Sequence, residues 1–109
     1  MFKQGDIIKF NFNPTQGHEQ AGYRPAVVIS NNTFNEHTNL LIVVPVTNTH
    51  RNFPLHISLD DRTETTGFIL CEHIRTIDRT ARRVIIIEKL PRDLLEHVVA
   101  MVNGEIDLD

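Results

Sequence analysis

Apolar and polar positions alternate over residues 6–13, with Ile8, Phe10 and Phe12 on one face and Lys9, Asn11 and Asn13 on the other. A period of two marks a half-buried strand. Two later runs, residues 24–30 and 40–46, are apolar on both faces and predict strands that are covered on both sides. Pro45, near the end of the second run, predicts a sheet edge or a strand terminus, because proline has no N–H to give to a central ladder. Shorter strands are expected at 55–59, 68–71 and 84–88, with a turn and a further strand within 72–78. Leu94, Leu95, Val98, Val99, Met101 and Val102 then recur at helical spacing, with Glu96 and Asn103 opposite. Pro91 suits the first turn of that helix, and Gly104 is placed to end it.

Polar loops separate these elements at 14–23, 47–52 and 60–66, and Asn31-Asn32 reads as a turn. The first loop is long for a hairpin in a chain of 109 residues, and long loops in small domains are often functional. The expected fold class is mainly β with a C-terminal helix: a small, strongly bent sheet or barrel forming one domain over residues 1–109. Closure into a barrel hides the strand edges that an open sheet so rich in Val and Ile would expose.

Composition narrows the function classes. Hydrophobic residues at 40% and charged residues at 23% are ordinary globular values and exclude a disordered chain. The formal net charge of -3 weighs against broad attraction to a phosphate backbone, yet Arg75, Arg79, Arg82 and Arg83 form a local basic run. Residues 79–83 read equally as an RNA-facing patch or as a solvated turn. A single cysteine, Cys71, excludes an intrachain disulfide and, inside the run Phe68-Ile69-Leu70-Cys71, reads as a small buried hydrophobe. None of His18, His37, His50, His56, His73 and His97 forms a pair at helical metal-ligand spacing, so neither metal nor cofactor is expected. No stretch has the length of a membrane span and residues 1–6 lack the apolar segment of a signal peptide, so a cytoplasmic protein with no membrane partner is expected.

Two loop-edge residues are the candidates for chemistry. Arg24 precedes Pro25, which pushes it into extended geometry at the mouth of a buried strand. Thr47 leaves the next buried strand at a defined point. If the two strands pair, a guanidinium and a hydroxyl can face one pocket. Cleavage of RNA by the neighbouring 2′-hydroxyl needs a proton acceptor, a proton donor to the leaving oxygen, and groups that hold charge on the phosphate. The planar fork of arginine matches phosphate oxygens, and threonine adds a donor. Arginine is a poor base, so Glu19 is the candidate acceptor. Taken singly, Arg24 reads as a surface ion pair with Glu19, Thr47 as a strand-end residue, and Glu19 and Gln20 as solvated loop.

Taken together, Gly5-Asp6-Ile7-Ile8, then His18-Glu19-Gln20-Ala21-Gly22-Tyr23-Arg24-Pro25-Ala26-Val27-Val28, then Val44-Pro45-Val46-Thr47 and Ile74-Arg75-Thr76-Ile77-Asp78, resemble the successive signatures of the MazF/PemK toxins. The resemblance spans nearly the whole chain, and Glu-Gln followed by Gly-x-Arg-Pro is its most specific block. It implies an SH3-like barrel of the plasmid-maintenance-toxin (CcdB-like) type and a homodimer. It also implies a metal-independent, sequence-specific endoribonuclease that cuts single-stranded RNA to leave 2′,3′-cyclic phosphate and 5′-hydroxyl ends. Arg24, Thr47 and Glu19 fall on the family's catalytic positions, and His18, Gln20, Asn48, Thr49 and Arg75 on positions for substrate contact. A cognate antitoxin protein would cover the RNA site. His18 stands where a small residue is common, and Asn48 and Thr49 lie in a variable loop, so the bases read do not carry over. Two rivals share the chemistry less well. A gyrase-directed toxin on the same fold suits the acidic charge but leaves Arg24 and Thr47 without a task. A nucleic-acid-binding module without catalysis would have a thin stacking platform, with aromatic residues at 6% and no tryptophan.

Overall fold

The computed structural model describes residues 1–11, 23–49 and 53–109. Seven strands and two helices follow in the order β1 (Asp6–Asn11), β2 (Tyr23–Val28), α1 (Asn32–His37), β3 (Leu40–Thr47), β4 (His56–Ser58), β5 (Phe68–Leu70), β6 (Arg75–Asp78), β7 (Ile85–Lys89) and α2 (Arg92–Ile106). All strand pairs are antiparallel, in the order β4-β5-β3-β2-β1-β7, with β6 also on β3. The mainly-β chain with a C-terminal helix is therefore what forms.

Strand β3 organises the sheet. One edge pairs with β2. The other pairs first with β6, over Leu40–Val43, and then with β5, over Val46 and Thr47. Pro45 lies between those two partners, in the buried middle of the sheet and opposite Ala26 of β2, and not at the edge or terminus expected from the sequence. The hydrogen bond from Ile29 N–H to the Ile42 carbonyl shows that even-numbered residues of β3 turn their backbone groups to β2. Alternation then points odd-numbered residues to the other edge. The donor that Pro45 lacks thus falls where the partner changes, and no ladder bond is lost there.

Strand alternation produces two cores. Ile7, Val27, Val44 and Val46 face one way and pack with Ile57, Ile69 and Cys71, under Leu95, Val98 and Val102 of α2. Ile8, Phe10, Ala26, Val28, Leu41, Val43 and Ile77 face the other way and pack with Phe2 and Val84. Cys71 is wholly buried, and burial, with lesser contributions from the charges of Glu105 and Glu72, pushes its thiol up to about 12, as suits a small core hydrophobe.

Three boundaries differ from the sequence reading. Asn31-Asn32 opens helix α1 where a turn was expected: the Asn31 side chain accepts from Phe34 N–H at 2.8 Å and caps the helix. Buried Asn35 anchors this short helix through its Oδ1, which accepts from the Ser30 hydroxyl, and its Nδ2, which donates to the Ser30 carbonyl. At the other end, α2 begins at Arg92 with Pro91 as the capping residue. It runs through Gly104 to Ile106, because Gly104 keeps helical backbone instead of the positive φ that would end the helix.

A carboxylate joins the two ends of the strand order. A register shift in the β1–β7 pair leaves Glu88 opposite Ile7 and Ile86 opposite Ile8, with Ile87 as the extra residue. Glu88 thereby faces the same side as Ile7. There it accepts from Glu64 N–H at 3.1 Å, Thr65 N–H at 2.8 Å and the Thr65 hydroxyl at 2.7 Å, in the β4–β5 loop. Arg62 fastens the same loop to Asp60 and to Asp93 in the first turn of α2. The bent sheet is thus drawn into a barrel by side chains, with β4 and β7 at the ends of the hydrogen-bonded path.

Burial works upward on the Glu88 carboxyl, but the donors of Thr65 and Glu64 outweigh it and hold the group below its usual range. A depressed carboxylate contributes stability that is complete above the unfolded value of about 4.3 and is lost as pH falls through the lower folded value. Glu88→Gln is therefore expected to destabilise the protein at pH 7 by about 1–3 kcal/mol. The gap to wild type should narrow below about pH 4. Urea unfolding of both proteins between pH 3 and pH 7 checks this.

Candidate active site

The β2–β3 register sets Ala26 opposite Pro45 and Val28 opposite Val43. Carried two residues on, it sets Arg24 opposite Thr47. Directly opposite residues of an antiparallel pair project to the same face, and here that is the face of Ala26, Val28 and Val43. The backbone order thus brings together the two residues singled out from the sequence. Arg24 is exposed at the start of β2 and pairs on its other side with Phe10 of β1. Thr47 closes β3 with 4% of its surface exposed.

Two contacts define how Thr47 is held. Its Oγ1 accepts from Thr49 N–H at 3.1 Å, which leaves the hydroxyl proton free to be donated elsewhere. Its backbone packs against Gly67, at the end of the β4–β5 loop. Gly67 has φ +117°, and a Cβ there would collide with the Thr47 carbonyl oxygen. Glycine is needed at 67 on both counts. The sequence reading passed over this residue, although a glycine just before an apolar run is a recognised sign of close backbone approach.

Asn48 turns its Oδ1 to the Thr66 hydroxyl at 3.1 Å. Arg75 of β6 stands opposite Val43, so it shares the face of Arg24 and Thr47. It lies four residues back along β3, about 13 Å away, and so belongs to a neighbouring part of the surface. Glu19, His18, Gln20 and His50 fall outside the described residues.

The basic run divides. The Arg79 side chain donates to the Thr38 carbonyl at 3.1 Å, behind helix α1. Arg82 donates to the Asn11 carbonyl and lies over the Phe10 ring at 5.9 Å, next to the Arg24 end of the sheet. Lys9 and Tyr23, neither of them singled out beforehand, meet on the opposite face, with the ammonium 5.9 Å from the ring centre. Positive side chains therefore gather where β1 ends and β2 begins, despite the acidic balance of the whole chain. Among the described residues, no three His, Cys, Asp or Glu side chains are disposed to hold a metal ion, and no helix is long and apolar enough to cross a membrane.

The profile of the PemK-like, MazF-like toxins of type II toxin–antitoxin systems matches residues 3–104. The chain belongs to that family. It is 36% identical to the endoribonuclease PemK of Escherichia coli over 105 residues, covering 93% of this chain and 79% of PemK. The crystal structure of MazF from Deinococcus radiodurans superposes with a TM-score of 0.91 at 31% identity, covering 98% of this chain and 97% of that one. A MazE–MazF crystal structure from the same organism superposes with a TM-score of 0.86 at 28% identity, covering 99% and 98%. The family resemblance read from the Gly-x-Arg-Pro block and its companions is thereby borne out, and with it the fold.

In this toxin-family chain the Gly67–Thr47 contact is open to direct test. Gly67→Ala is expected to cost more than about 1 kcal/mol in urea unfolding, because a side chain is strained at that backbone angle. It should also shift the backbone amide resonances of Thr47 and Thr49. Unchanged resonances and stability would mean that the two segments separate without penalty.

Proposed function

We propose that this chain is the toxin of a type II toxin–antitoxin pair and acts as a metal-independent, sequence-specific endoribonuclease on single-stranded RNA. One observation carries the reading: the β2–β3 register sends Arg24 and Thr47 to the same face at the same end of the sheet. Its relatives named endoribonucleases, PemK among them, support the class of reaction. MazF structures solved together with MazE support an antitoxin as partner.

In the proposed mechanism the scissile phosphate enters over the open end of β2 and β3. The Arg24 guanidinium pairs with its non-bridging oxygens and holds the charge that grows as the 2′-hydroxyl attacks. Thr47, whose oxygen already accepts from Thr49 N–H, donates a hydrogen bond through its hydroxyl to one of the same oxygens. Glu19 takes the proton of the 2′-hydroxyl, the O2′–P bond forms as the P–O5′ bond breaks, and the departing 5′-oxygen takes a proton from solvent, leaving a 2′,3′-cyclic phosphate and a 5′-hydroxyl. Asn48, Thr49, His18 and Gln20 contact flanking bases, and Arg75, farther along the face, contacts a neighbouring nucleotide. The working unit is a cytoplasmic homodimer. Ile86, exposed on edge strand β7, supports a second copy as cover for that strand.

Purified protein freed of antitoxin should cut a long single-stranded RNA in the presence of EDTA, as mapped by primer extension. Arg24→Ala and Thr47→Ala should each lower the cleavage rate by about a hundred-fold or more, with circular dichroism and melting unchanged. Near-normal cutting by either variant removes that residue from the mechanism, and gyrase inhibition without RNA cleavage replaces the whole reading.

A further inference from the structure

Beside Thr47, but on the opposite face of the sheet from Arg24, an open cleft of about 370 Å³ occupies the mouth of the barrel. Pro25 and Ile87 line it with apolar surface, and Asn48, Thr65 and Thr66 with polar groups. Lys9 and Glu64 line it as well. Tyr23 is half exposed and lies two residues before Pro25, on the same face of β2, next to the Lys9 ammonium. Ile87 is 41% exposed, like its neighbours Ile85 and Ile86, and is the extra residue of the β-bulge.

We infer that this cleft is a subsite for one unstacked RNA base next to the scissile phosphate, a specificity-determining part of the site proposed above. The inference rests on that ribonuclease reading and extends it from Asn48 to Tyr23, Pro25, Thr65, Thr66 and Ile87. Three features match a nucleotide. Tyr23 and the Pro25–Ile87 surface offer an aromatic ring and an apolar wall for the two faces of a base. The Thr66 hydroxyl donates to Asn48 Oδ1, and the Thr65 hydroxyl donates to Glu88 at 2.7 Å. Each hydroxyl has only one proton, so both oxygens are left to accept from the N–H groups of a base, while Asn48 Nδ2 is left to donate to a ring nitrogen or carbonyl. Finally, the two charges that line the cleft, Lys9 and Glu64, are of opposite sign, which suits a neutral base better than a phosphate. The base therefore goes in and the backbone stays out. Glu88 and Arg62 hold the β4–β5 loop, so the polar wall is set before a ligand arrives.

The test couples the protein to the RNA. After the cleavage site is mapped, each nucleotide within three positions of it is replaced in turn by an abasic residue. Wild-type kcat/KM should fall by about five- to a hundred-fold at the position whose base enters the cleft. Tyr23→Ala and Thr66→Val, both at exposed positions, should show a similar loss on intact RNA and little further loss on that one abasic RNA. Losses that simply multiply at every position overturn the subsite. So does a result in which both variants cut RNA normally but resist inhibition by antitoxin, since the cleft would then take a protein segment. The same coupling is read by fluorescence anisotropy with RNA blocked by 2′-O-methylation at the attacking sugar. If wild-type protein cuts no RNA, abasic residues are placed in turn along the whole of a short RNA that it binds; binding losses coupled to one base then mean that the ribonuclease reading fails and base binding in the cleft stands. If wild type cuts and losses are uncoupled, the reverse holds, and absence of binding sinks both.

Discussion

Strand β3 has to satisfy two successive neighbours on one edge while its other edge stays paired with β2. From Leu40 to Val43 it bonds to β6, and at Val46 and Thr47 it bonds to β5. The change happens at the one residue that has no N–H to lose, Pro45. A strand with two partners must leave one of them at an angle, which is how so short a set of strands bends around a core capped by a single helix. Thr47 ends up at the far side of that change, gripped between the start of β2 and the start of β5.

Chemistry at that point depends on backbone order more than on side-chain packing. Arg24 and Thr47 share a face because the β2–β3 register places them opposite one another. A slip by one residue would turn one of them through to the other core. The register is protected because Ala26, Val27, Val28, Val43, Val44 and Val46 are all buried, so no slipped pairing buries as much. Gly67 adds a second restraint by letting the β4–β5 loop press against the Thr47 carbonyl. The Arg24–Thr47 pair thus stands on rigid strands, with Asn48 and Thr49 in the loop that follows β3.

Charge follows the same division. The chain is acidic overall, yet Lys9, Arg24 and Arg82 are collected at one end of β1 and β2. Acidic side chains with structural work are kept elsewhere: Asp60 and Asp93 on Arg62, and Glu88 on the β4–β5 loop. A negative net charge is therefore compatible with a phosphate-binding face, since attraction at contact distance is governed by the local field.

Much of this was legible in the linear chain. Period-two alternation located β1, doubly apolar runs located β2 and β3, and the stripe from Leu94 to Val102 located α2, because those patterns follow from burial of one or both faces of a single element. The Gly-x-Arg-Pro and Val-Pro-Val-Thr blocks singled out Arg24 and Thr47 for the same reason: each is a local arrangement at a strand end. What the tertiary structure decided is everything that depends on which strand lies beside which. Pro45 looked like an edge marker because its missing donor is visible in the sequence, whereas the gap between β6 and β5 that accommodates it is not. Helix α1 was hidden because six residues are too few for periodicity and its anchor, Asn35 on Ser30, is a side-chain contact. The part played by Glu88 depends on the bulge in β7 that turns it inward, and that of Gly67 on a carbonyl twenty residues away in the chain, and neither shows in the linear sequence. Local pattern records how each segment meets water. Pairing, register and the close approach of distant segments arise only when the segments meet each other.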